Sequence, residues 1–489
     1  MSEKSIKVNV AILGAGSAGL SALRKVKSMR ETGLLIDPGP YGTTCARVGC
    51  MPSKLLIAAA DAAHEVHKAS MFGVHVDEGA VTINGKDVMK RVQSERDRFV
   101  GFVKESIAQR DKDDELLKGR ATITSEGVLS VECNDGSSQE VHYDRLILAV
   151  GSRPIVPPPF RALTAPVMLT NDDIFELDDL PESLLVVGLG VIGVELGQAM
   201  ARLGVRTTLV GIDGLIGPLQ DSDVLAEAHK IFKQELDLHS NYELHSITQR
   251  EDMSGVDIHF TDSDGRERQE FFQKVLMAAG RRSNLDRVGL ENIDVMPDKD
   301  GKYGINEGTL QLRDMPIFVA GDANGFHPLL HEASDDGKVA GENAVVYPEV
   351  LAPRRRTHLS VMFSDPQIAT IGRNCTKLPG VDLAEGSLNY DDQGRARVMG
   401  VNKGLIKVYA EHKTGRLVGG EFFGPDVEHL AHLLAWSVQS GLTVDEALDM
   451  PFYHPVLEEG FRTALRDLSS ALKHRRKVKC RVAELGVGS

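Results

Sequence analysis

Two cysteines, Cys45 and Cys50, stand five positions apart in the segment TTCARVGC of a 489-residue chain that has five cysteines. Such a pair can be a structural disulfide, two metal ligands, or a dithiol that opens and closes during a reaction. Five cysteines are too few for a disulfide scaffold, and the odd number argues against complete structural pairing. The cysteine content therefore favours a reducing, cytoplasmic compartment, where a close pair is more often catalytic or metal-binding.

The charge and hydropathy of the chain exclude two classes of partner. The net charge is −14, which disfavours nucleic acid. The apolar stretch Val8–Leu23 is interrupted by glycines and is shorter than a membrane span, and no signal-peptide pattern is present. We expect neither a nucleic-acid nor a membrane partner.

A dinucleotide-binding unit is predicted near the start of the chain. The apolar run Val8–Leu13 has strand length, and Gly14, Gly16 and Gly19 follow it before a stretch rich in helix-forming residues. These glycines permit a tight turn and close approach to a pyrophosphate at a helix N-terminus. Asp37, about 20 residues further on, ends the next strand and can accept hydrogen bonds from a ribose.

The same pattern returns about 170 residues later. A predicted strand precedes a second glycine triad, and a helix through Leu203 leads to the strand Arg206–Val210. Two complete units imply two dinucleotides, a flavin adenine dinucleotide (FAD) and a nicotinamide cofactor. The second triad consists of Gly188, Gly190 and Gly193.

The choice between NAD and NADP rests on the end of the second unit's strand. Gly211 stands where NAD-binding proteins commonly have an acid, and no arginine is there to receive a 2′-phosphate. Asp213 is a candidate substitute for the acid. The sequence favours NAD and leaves NADP open.

Histidine pairs raise the question of a metal site. His64 and His67 are three residues apart in a predicted helix, and so are His429 and His432. Such pairs can bind zinc, but no third or fourth ligand is evident in the sequence. We expect no metal.

The segment GTTCARVGCMPSKLL resembles the redox-disulfide motif of the pyridine nucleotide–disulfide oxidoreductases. The resemblance extends over essentially the whole chain. It includes the segments LILAVGSRP (146–154), VLMAAGRRSN (275–284), IFVAGDANG (317–325) and FYHPVLEEG (452–460).

The resemblance implies roles for the chemical groups. Cys45 would be the thiol that exchanges with substrate, and Cys50 would lie against the flavin. His454 would be the general acid/base, with Glu459 orienting it. In this family the histidine comes from a second subunit, so the resemblance implies a homodimer with shared active sites.

Further residues carry over as cofactor contacts. Lys54 would lie near the flavin, and Glu195 would pair with it beside the nicotinamide. The remaining cofactor-binding candidates, besides the glycine triads and Asp37, are Gly42, Thr44, Gly151, Gly280 and Asp322.

The expected fold is α/β, with two Rossmann-like dinucleotide-binding domains and a C-terminal α+β dimerisation domain. Phe422, Phe423 and Trp436 are expected in the core of the last domain. The expected segments are 1–155 (first part of the FAD-binding domain), 156–284 (NAD(P)-binding domain), 285–355 (return segment of the FAD-binding domain) and 356–489 (dimerisation domain).

The resemblance implies an enzyme that oxidises a dihydrolipoyl dithiol with NAD⁺ through a Cys45–Cys50 disulfide. Its substrate would be a small molecule or a lipoyl domain, and a 2-oxoacid dehydrogenase complex is a candidate partner. The alternative is an NAD(P)H-dependent reductase of another disulfide or of a metal ion. The single Cys480 near the C-terminus disfavours those members that end in a cysteine pair. A non-catalytic subunit of a complex is disfavoured by the intact cysteine, histidine and glutamate set.

The chain departs from the usual family pattern between its cysteines. Ala46 and Arg47 stand where Leu-Asn is usual, Thr43 replaces a glycine, and Val456 replaces the threonine after His-Pro. Arg47 is a candidate for favouring an acidic substrate.

Overall fold

A computed structural model describes residues 5–77, 79–373 and 382–474. Cys480 lies outside these residues. The chain divides into two compact units. The first unit holds the described residues of Met1–Pro52, Arg91–Ile155 and Arg281–Arg355, and the second holds those of Ser53–Lys90, Val156–Gly280 and Arg356–Ser489.

Strands and helices alternate around each glycine triad, as expected of dinucleotide-binding folds, whereas elsewhere several strands follow one another directly. The strands are β1 (Ser5–Leu13), β2 (Gly33–Ile36), β3 (Leu116–Leu117), β4 (Gly119–Ser125), β5 (Val128–Cys133), β6 (Ser138–Leu148), β7 (Ser152–Pro154), β8 (Met168–Leu169), β9 (Ser183–Val187), β10 (Arg206–Val210), β11 (Asp237–His239), β12 (Glu243–Gln249), β13 (Val256–Thr261), β14 (Glu267–Phe272), β15 (Lys274–Met277), β16 (Arg281–Ser283), β17 (Ile317–Val319), β18 (Leu359–Met362), β19 (Gln367–Gly372), β20 (Leu383–Asn389), β21 (Leu405–Glu411) and β22 (Leu417–Gly424).

The helices cover the sheets and carry several of the candidate residues. They are α1 (Ser17–Ser28), α2 (Thr44–Val48), α3 (Cys50–Lys68), α4 (Gly85–Lys112), α5 (Val191–Arg202), α6 (Ser222–Glu235), α7 (Leu330–Val346), α8 (Gly394–Met399), α9 (Val427–Ser440), α10 (Val444–Leu448) and α11 (Glu459–Lys473).

The main sheet of the first unit is built around β1. Its strand order in the described residues is β3-β2-β1-β6-β5-β4, and β17 pairs with the C-terminal part of β6. The pairs β1/β2, β1/β6 and β6/β17 are parallel, and their register places Leu13 beside Leu148 and Leu148 beside Val319. The loops that follow these four strands therefore meet at one edge of the sheet, where dinucleotides bind in such folds.

The second unit contains a parallel sheet of order β11-β10-β9-β15-β8 among its described strands. The antiparallel strands β12, β13 and β14 form a separate small sheet. The strands β18 to β22 form an antiparallel sheet of order β18-β19-β22-β21-β20, against which α9 and α11 pack. Each helix therefore buries an apolar stripe on this sheet. In α11 the stripe consists of Phe461, Ala464, Leu465 and Leu468.

The predicted core of the C-terminal domain is right at two positions and wrong at the third. Phe422 and Phe423 are fully buried, but the Trp436 side chain is 67% exposed. Helix α9 turns its apolar stripe towards the sheet, and Trp436 lies outside that stripe. The buried residues of α9 are Val427, Leu430, Ala431, Leu434 and Ala435.

The predicted fold class is confirmed. The chain is α/β, with two Rossmann-like sheets and a C-terminal α+β region. The strand expected at Val8–Leu13 lies within β1, and that expected at Arg206–Val210 is β10. The four segment boundaries remain predictions.

Among the described helices, none has the length and apolar character that crossing a membrane requires.

Candidate active site

Cys45 and Cys50 lie in two successive helices of the segment TTCARVGC. Thr43 caps α2, because its side chain accepts a hydrogen bond from the Ala46 amide at 3.3 Å. Cys45 is half-buried within α2, and Cys50 is the exposed first residue of α3. A Cβ atom at the intervening Gly49 would lie 3.0 Å from the Thr44 carbonyl oxygen and 3.3 Å from the Cys45 Cα, so the chain at Gly49 packs closely against the start of α2.

The residues around the cysteines include two departures from the family pattern. Thr43 has a φ of 58°, in the left-handed region where a glycine is favoured, so this position carries backbone strain. Arg47 is half-buried, and its Nε atom is buried without a hydrogen-bond partner among the described residues.

Among the predicted cofactor contacts, Thr44 is exposed at the start of α2, and a Cβ at the buried Gly42 would meet Val100 at 2.8 Å.

The first glycine triad forms a tight turn between β1 and α1. A Cβ atom at Gly14 would lie 2.3 Å from the Ala149 carbonyl oxygen, and one at Gly19 would lie 1.9 Å from the Gly14 carbonyl oxygen. Packing within the protein therefore requires both glycines. At Gly16 a Cβ would meet nothing within 4 Å, so the space beside this residue at the helix N-terminus is open.

The second triad repeats this geometry between β9 and α5. A Cβ at Gly188 would lie 2.3 Å from the Ala278 carbonyl oxygen, and one at Gly193 would lie 1.9 Å from the Gly188 carbonyl oxygen. Gly190 again faces open space. The same three spatial roles in both turns agree with two pyrophosphate-binding loops.

Asp37 lies directly after β2 and contacts the first glycine turn. Its Oδ2 accepts a hydrogen bond from the Ala15 amide at 2.7 Å, and its Oδ1 accepts one from Gly39 at 2.6 Å. Each carboxylate oxygen can accept a further bond, which leaves capacity for a ribose. The Tyr41 hydroxyl donates to the Asp37 main-chain oxygen at 2.9 Å, and burial together with the Asp37 charge raises the pKa of Tyr41 to about 12.

Asp322 follows β17 at the same sheet edge of the first unit. It accepts a hydrogen bond from the Ser152 hydroxyl at 2.8 Å, and Arg281 Nε donates to that hydroxyl at 2.8 Å. Gly151 has a φ of 66° and faces open space. In the second unit, Gly280 has a φ of 102°. The carboxylate of Asp322 is thus held in place by residues far away in sequence.

Lys54 and Glu195 form a close ion pair within the second unit. The Lys54 ammonium lies 2.9 and 2.8 Å from the two Glu195 oxygens, and Glu195 is buried in α5. The Phe363 amide donates to Glu195 at 2.8 Å, while the Lys54 ammonium lies 4.5 Å from the Phe363 ring centroid. The pairing of Lys54 with Glu195 is present as expected, whereas Phe363 was not foreseen because no local pattern marks it.

His454 and Glu459 form a second pair, also within the second unit. His454 Nδ1 lies 2.9 Å from Glu459 Oε2, and Arg462 donates to the other carboxylate oxygen at 2.9 Å. The hydrogen bond with His454 lowers the pKa of Glu459, so the carboxylate is ionised at neutral pH. The His454 side chain is 80% exposed, with Nε2 at the outer end of the ring.

The second unit has Gly211 directly after β10, at the position where NAD-binding proteins commonly have an acidic residue that binds the ribose. Gly211 is buried, and its amide donates to the His239 carbonyl oxygen at 2.8 Å. Asp213 is exposed, and its carboxylate accepts a hydrogen bond from the Leu215 amide at 3.1 Å. Asp213 is thus part of a local turn, with acceptor capacity remaining on its carboxylate.

The sequence profile described as "Pyridine nucleotide-disulphide oxidoreductase" matches residues 8–337, and the profile of the dimerisation domain of the same family matches residues 359–465. The chain therefore belongs to the pyridine nucleotide–disulfide oxidoreductases, and it is an enzyme. Members of this family bind FAD and NAD(H), and both glycine turns have the open space that a dinucleotide pyrophosphate needs.

Curated relatives of more than one activity align with nearly the whole chain. The dihydrolipoyl dehydrogenase of Halobacterium salinarum is 30% identical over 464 residues, which cover 93% of this chain and 95% of the relative. The dihydrolipoyl dehydrogenase of Bacillus subtilis is 30% identical over 467 residues, which cover 94% of this chain and 98% of that relative. A mercuric reductase of Streptomyces lividans is 29% identical over 457 residues, covering 92% and 93%.

Solved structures have the same fold. LpdA of Mycobacterium tuberculosis has a TM-score of 0.79 at 26% identity, covering 94% of this chain and 99% of that one. The HOCl-induced flavoprotein disulfide reductase RclA of Escherichia coli, as a Cu(II) complex, has a TM-score of 0.77 at 22% identity, covering 95% and 99%. The latter likeness concerns the fold alone.

Proposed function

We propose that this FAD-dependent enzyme oxidises a dihydrolipoyl dithiol with NAD⁺ through a reversible Cys45–Cys50 disulfide. The observation that carries this proposal is the placement of the two cysteines in successive helices joined at Gly49, where the chain packs closely against the start of α2. The choice of a lipoyl substrate is supported by relatives named dihydrolipoyl dehydrogenase that align over more than nine tenths of the chain.

The proposed exchange balances as follows. A substrate thiolate attacks the Cys45 sulfur of the disulfide, which forms a mixed disulfide and releases the Cys50 thiolate. The second thiolate of the substrate then attacks the substrate sulfur that is bonded to Cys45. Cys45 leaves as a thiolate, and the substrate leaves as a cyclic disulfide. The Cys45 and Cys50 thiolates then re-form their disulfide, and the two electrons that they lose, together with one proton, convert NAD⁺ to NADH. Cys50 suits its part because it begins the 19-residue helix α3, whose N-terminus stabilises a thiolate.

His454 is proposed to take up the substrate thiol protons. Its Nδ1 is held by Glu459, which leaves Nε2 to act as the base, and the ionised carboxylate stabilises the imidazolium that results. The imidazole is 80% exposed in a single chain, so it is available to a second subunit. We propose a homodimer in which His454 of one subunit serves Cys45 of the other.

The match to the family's dimerisation domain and the apolar surface of the C-terminal region support a homodimer. Large side chains of this region are exposed in the single chain, and their burial against a second copy would be favourable. They include Val398, Trp436, Met450 and Tyr453.

The residues proposed to hold FAD are the first glycine triad, Asp37, Gly42, Thr44, Gly151 and Asp322. When bound, FAD supplies a two-electron carrier between the dithiol and the nicotinamide. Lys54, oriented by Glu195, is proposed to place its positive charge near the flavin, where such a charge would stabilise the reduced, anionic form of the cofactor. The second glycine triad and Gly280 are proposed to hold the nicotinamide cofactor. We favour NAD, because the described turn after β10 presents Asp213 and no arginine.

A second candidate is an NAD(P)H-dependent reductase of another disulfide or of a metal ion. Arg47 favours the disulfide form of this candidate, because a half-buried guanidinium between the cysteines suits an anionic disulfide substrate. The mercuric reductase among the relatives also belongs to this class of activities.

On either proposal we place the enzyme in the cytoplasm. A 2-oxoacid dehydrogenase complex is the proposed partner for a lipoyl-domain substrate.

A side-by-side assay decides between these functions. The purified enzyme is tested with lipoamide, glutathione disulfide and Hg²⁺, each with NADH and with NADPH, and with dihydrolipoamide and NAD⁺. We expect turnover of the lipoyl substrates with NAD(H) and its loss in Cys45→Ser. Absence of lipoyl turnover together with activity on another acceptor would replace the first proposal with the second.

Mixed dimers test the shared active site. Cys45→Ser and His454→Ala homodimers are each expected to be inactive, and random re-association of the two should restore about a quarter of wild-type activity. That fraction arises because half of the dimers are hybrids, each with one intact site. Without shared sites, mixing restores nothing.

A further inference from the structure

A cluster of two histidines and a glutamate lies on the small sheet β12-β13-β14, which none of the proposed chemistry uses. Among the described residues, His245, His259 and Glu267 form the only group of three such side chains whose ligand atoms lie within 4.8 Å of one another. Each of the three residues comes from a different strand. The cluster therefore spans the whole width of the sheet.

The sheet register explains how the two histidines come to the same face. Strands β12 and β13 pair Leu244 with Phe260 and Ser246 with His259, so His245 is an extra residue in a β-bulge. Leu244 faces the buried side of the sheet, so the next residue, His245, faces the exposed side. Because of the bulge Ser246 is exposed as well, so two exposed residues of β12 lie opposite the single residue His259.

The third side chain approaches from the other edge strand. Glu267 pairs with Thr261 and is diagonal to His259 on the same face. His259 Nε2 is hydrogen-bonded to Glu267 Oε2, and His245 Nε2 lies 3.6 Å from Glu267 Oε1. The Thr261 hydroxyl lies 2.7 Å from His245 Nε2 and donates to Glu267 at 3.1 Å, so it links the two.

We propose that His245, His259 and Glu267 form a Zn²⁺-binding site on the nicotinamide-binding part of the chain. Two imidazoles and one carboxylate are a donor set that zinc prefers, with a fourth position left for water. Tetrahedral zinc needs ligand atoms about 3.3 Å apart, given bonds of about 2.0–2.1 Å. Exposed side chains reach this separation by small rotations. The bound ion would cross-link the three strands.

The site is distinct from the dithiol chemistry, so the two can be tested separately. The experiment uses the FAD-loaded enzyme with its redox disulfide closed and its other thiols alkylated, so that thiolates do not compete. Zn²⁺ is titrated in competition with a chromophoric chelator. We expect one site per chain, with affinity reduced at least about tenfold in His245→Ala and in His259→Ala and also lowered in Glu267→Gln.

The matched control is His142→Ala. His142 pairs with Glu140 on a strand of the first unit, and among the described side chains this pair has no third histidine, cysteine or carboxylate close enough to share a metal ion. This control is expected to bind Zn²⁺ like the wild type. Zn²⁺ should also raise the thermal midpoint of the wild type but not of His259→Ala.

A second measurement keeps the proposal testable if zinc binding is weak. Cu²⁺ placed at the site should give an electron paramagnetic resonance spectrum with nitrogen hyperfine splitting from two imidazoles, and either histidine substitution should reduce it. Equal Zn²⁺ affinity in the wild type and both histidine variants would overturn the proposal. So would the absence of Zn²⁺ binding by the wild type at millimolar concentration. The cluster would then be a surface hydrogen-bond network only.

Discussion

The ammonium of Lys54 is held by both carboxylate oxygens of Glu195, a residue 141 positions further along the chain. Glu195 is buried in α5, two residues after the last glycine of the second turn, so its position is tied to that turn. Lys54 belongs to α3, the helix that begins with Cys50. One ion pair thus connects the helix of the dithiol segment to the helix of the second dinucleotide turn.

Replacing Glu195 with glutamine tests this connection. The substitution keeps the shape of the side chain and removes the charge that orients Lys54, so we expect flavin reduction by NADH to slow about tenfold while the FAD content is unchanged. Rapid-mixing absorbance measures that rate. The control is Glu227→Gln, which removes the partner of Lys230 on the surface of α6 and should leave the rate as it is. An unaltered rate in Glu195→Gln would remove Glu195 from the proposed machinery.

The open space at the middle glycine of each turn makes a paired prediction. A Cβ at Gly16 or at Gly190 meets nothing within 4 Å, so valine at either position should be tolerated by the fold. We expect Gly16→Val to fold and to lose FAD, because the added methyl groups fill the space of the pyrophosphate. Gly190→Val should retain FAD and bind NADH at least about tenfold more weakly. Flavin absorbance and NADH titration give the readouts, and each variant is the control for the other. Full FAD retention in Gly16→Val would contradict the assignment of this turn.

Glu459 should shape the pH dependence of turnover. Its pKa is lowered by the hydrogen bond with His454, so at neutral pH it is an anion that favours the protonated imidazole. In Glu459→Gln this charge is absent, and we expect kcat to fall about tenfold and the pH–activity profile to move to lower pH. Glu458→Gln, one residue earlier, is the control. A profile identical to that of the wild type would show that Glu459 acts only in the fold.

A buried arginine should dominate the stability of the second unit. The Arg202 side chain is 5% exposed, and it lies 3.1 Å from Asp61, 2.5 Å from Glu235 and 2.9 Å from Asp365. Arg202→Met leaves these partly exposed acids without their shared cation, and we expect a loss of about 1.5–3 kcal/mol in the free energy of unfolding. The control Arg250→Met breaks an exposed pair with Asp257 and should cost at most about 1 kcal/mol. Chemical denaturation measures both.

The Arg202 effect should depend on pH in one direction. Burial alone would raise the pKa of Asp365, but the charges of Arg202 and Lys68 outweigh burial and hold it below its usual range. A lowered pKa stabilises the fold at pH values above the unfolded value of about 3.9, and this contribution is lost as the pH falls through the folded pKa. The stability difference between wild type and Arg202→Met should therefore narrow below about pH 4. A difference that stays constant to pH 3 would contradict this network.

The sequence predicted those parts of the site that depend on neighbouring residues. The two glycine turns follow from spacing, because a strand, a tight turn and a helix N-terminus occupy one short stretch. The pairing of His454 with Glu459 was predicted from the resemblance of this segment to the family's C-terminal motif. Long-range contacts were less accessible. Phe363 contacts both Lys54 and Glu195 from a loop with no local signal.

The wrong expectation for Trp436 and the overlooked histidine cluster have a similar physical origin. Trp436 was expected in the core because it is large and apolar, but its exposure depends on which face of α9 meets the sheet. Histidines three residues apart on predicted helices stand out in the sequence as candidate metal ligands. His245 and His259 do not, because only the pairing of β12 with β13 brings them together. Patterns along one segment do not report such cross-strand contacts.

The central claim is that Cys45 and Cys50 form the redox-active disulfide, and anaerobic titration with NADH tests it most directly. We predict that two electrons per chain are taken up, that two new thiols appear, and that a long-wavelength thiolate–flavin charge-transfer band develops. The Cys50→Ser variant should lack that band, whereas Cys133→Ser should behave as the wild type. A Cys50→Ser enzyme that still develops the band, or a wild type that gains no thiols on reduction, would contradict the claim.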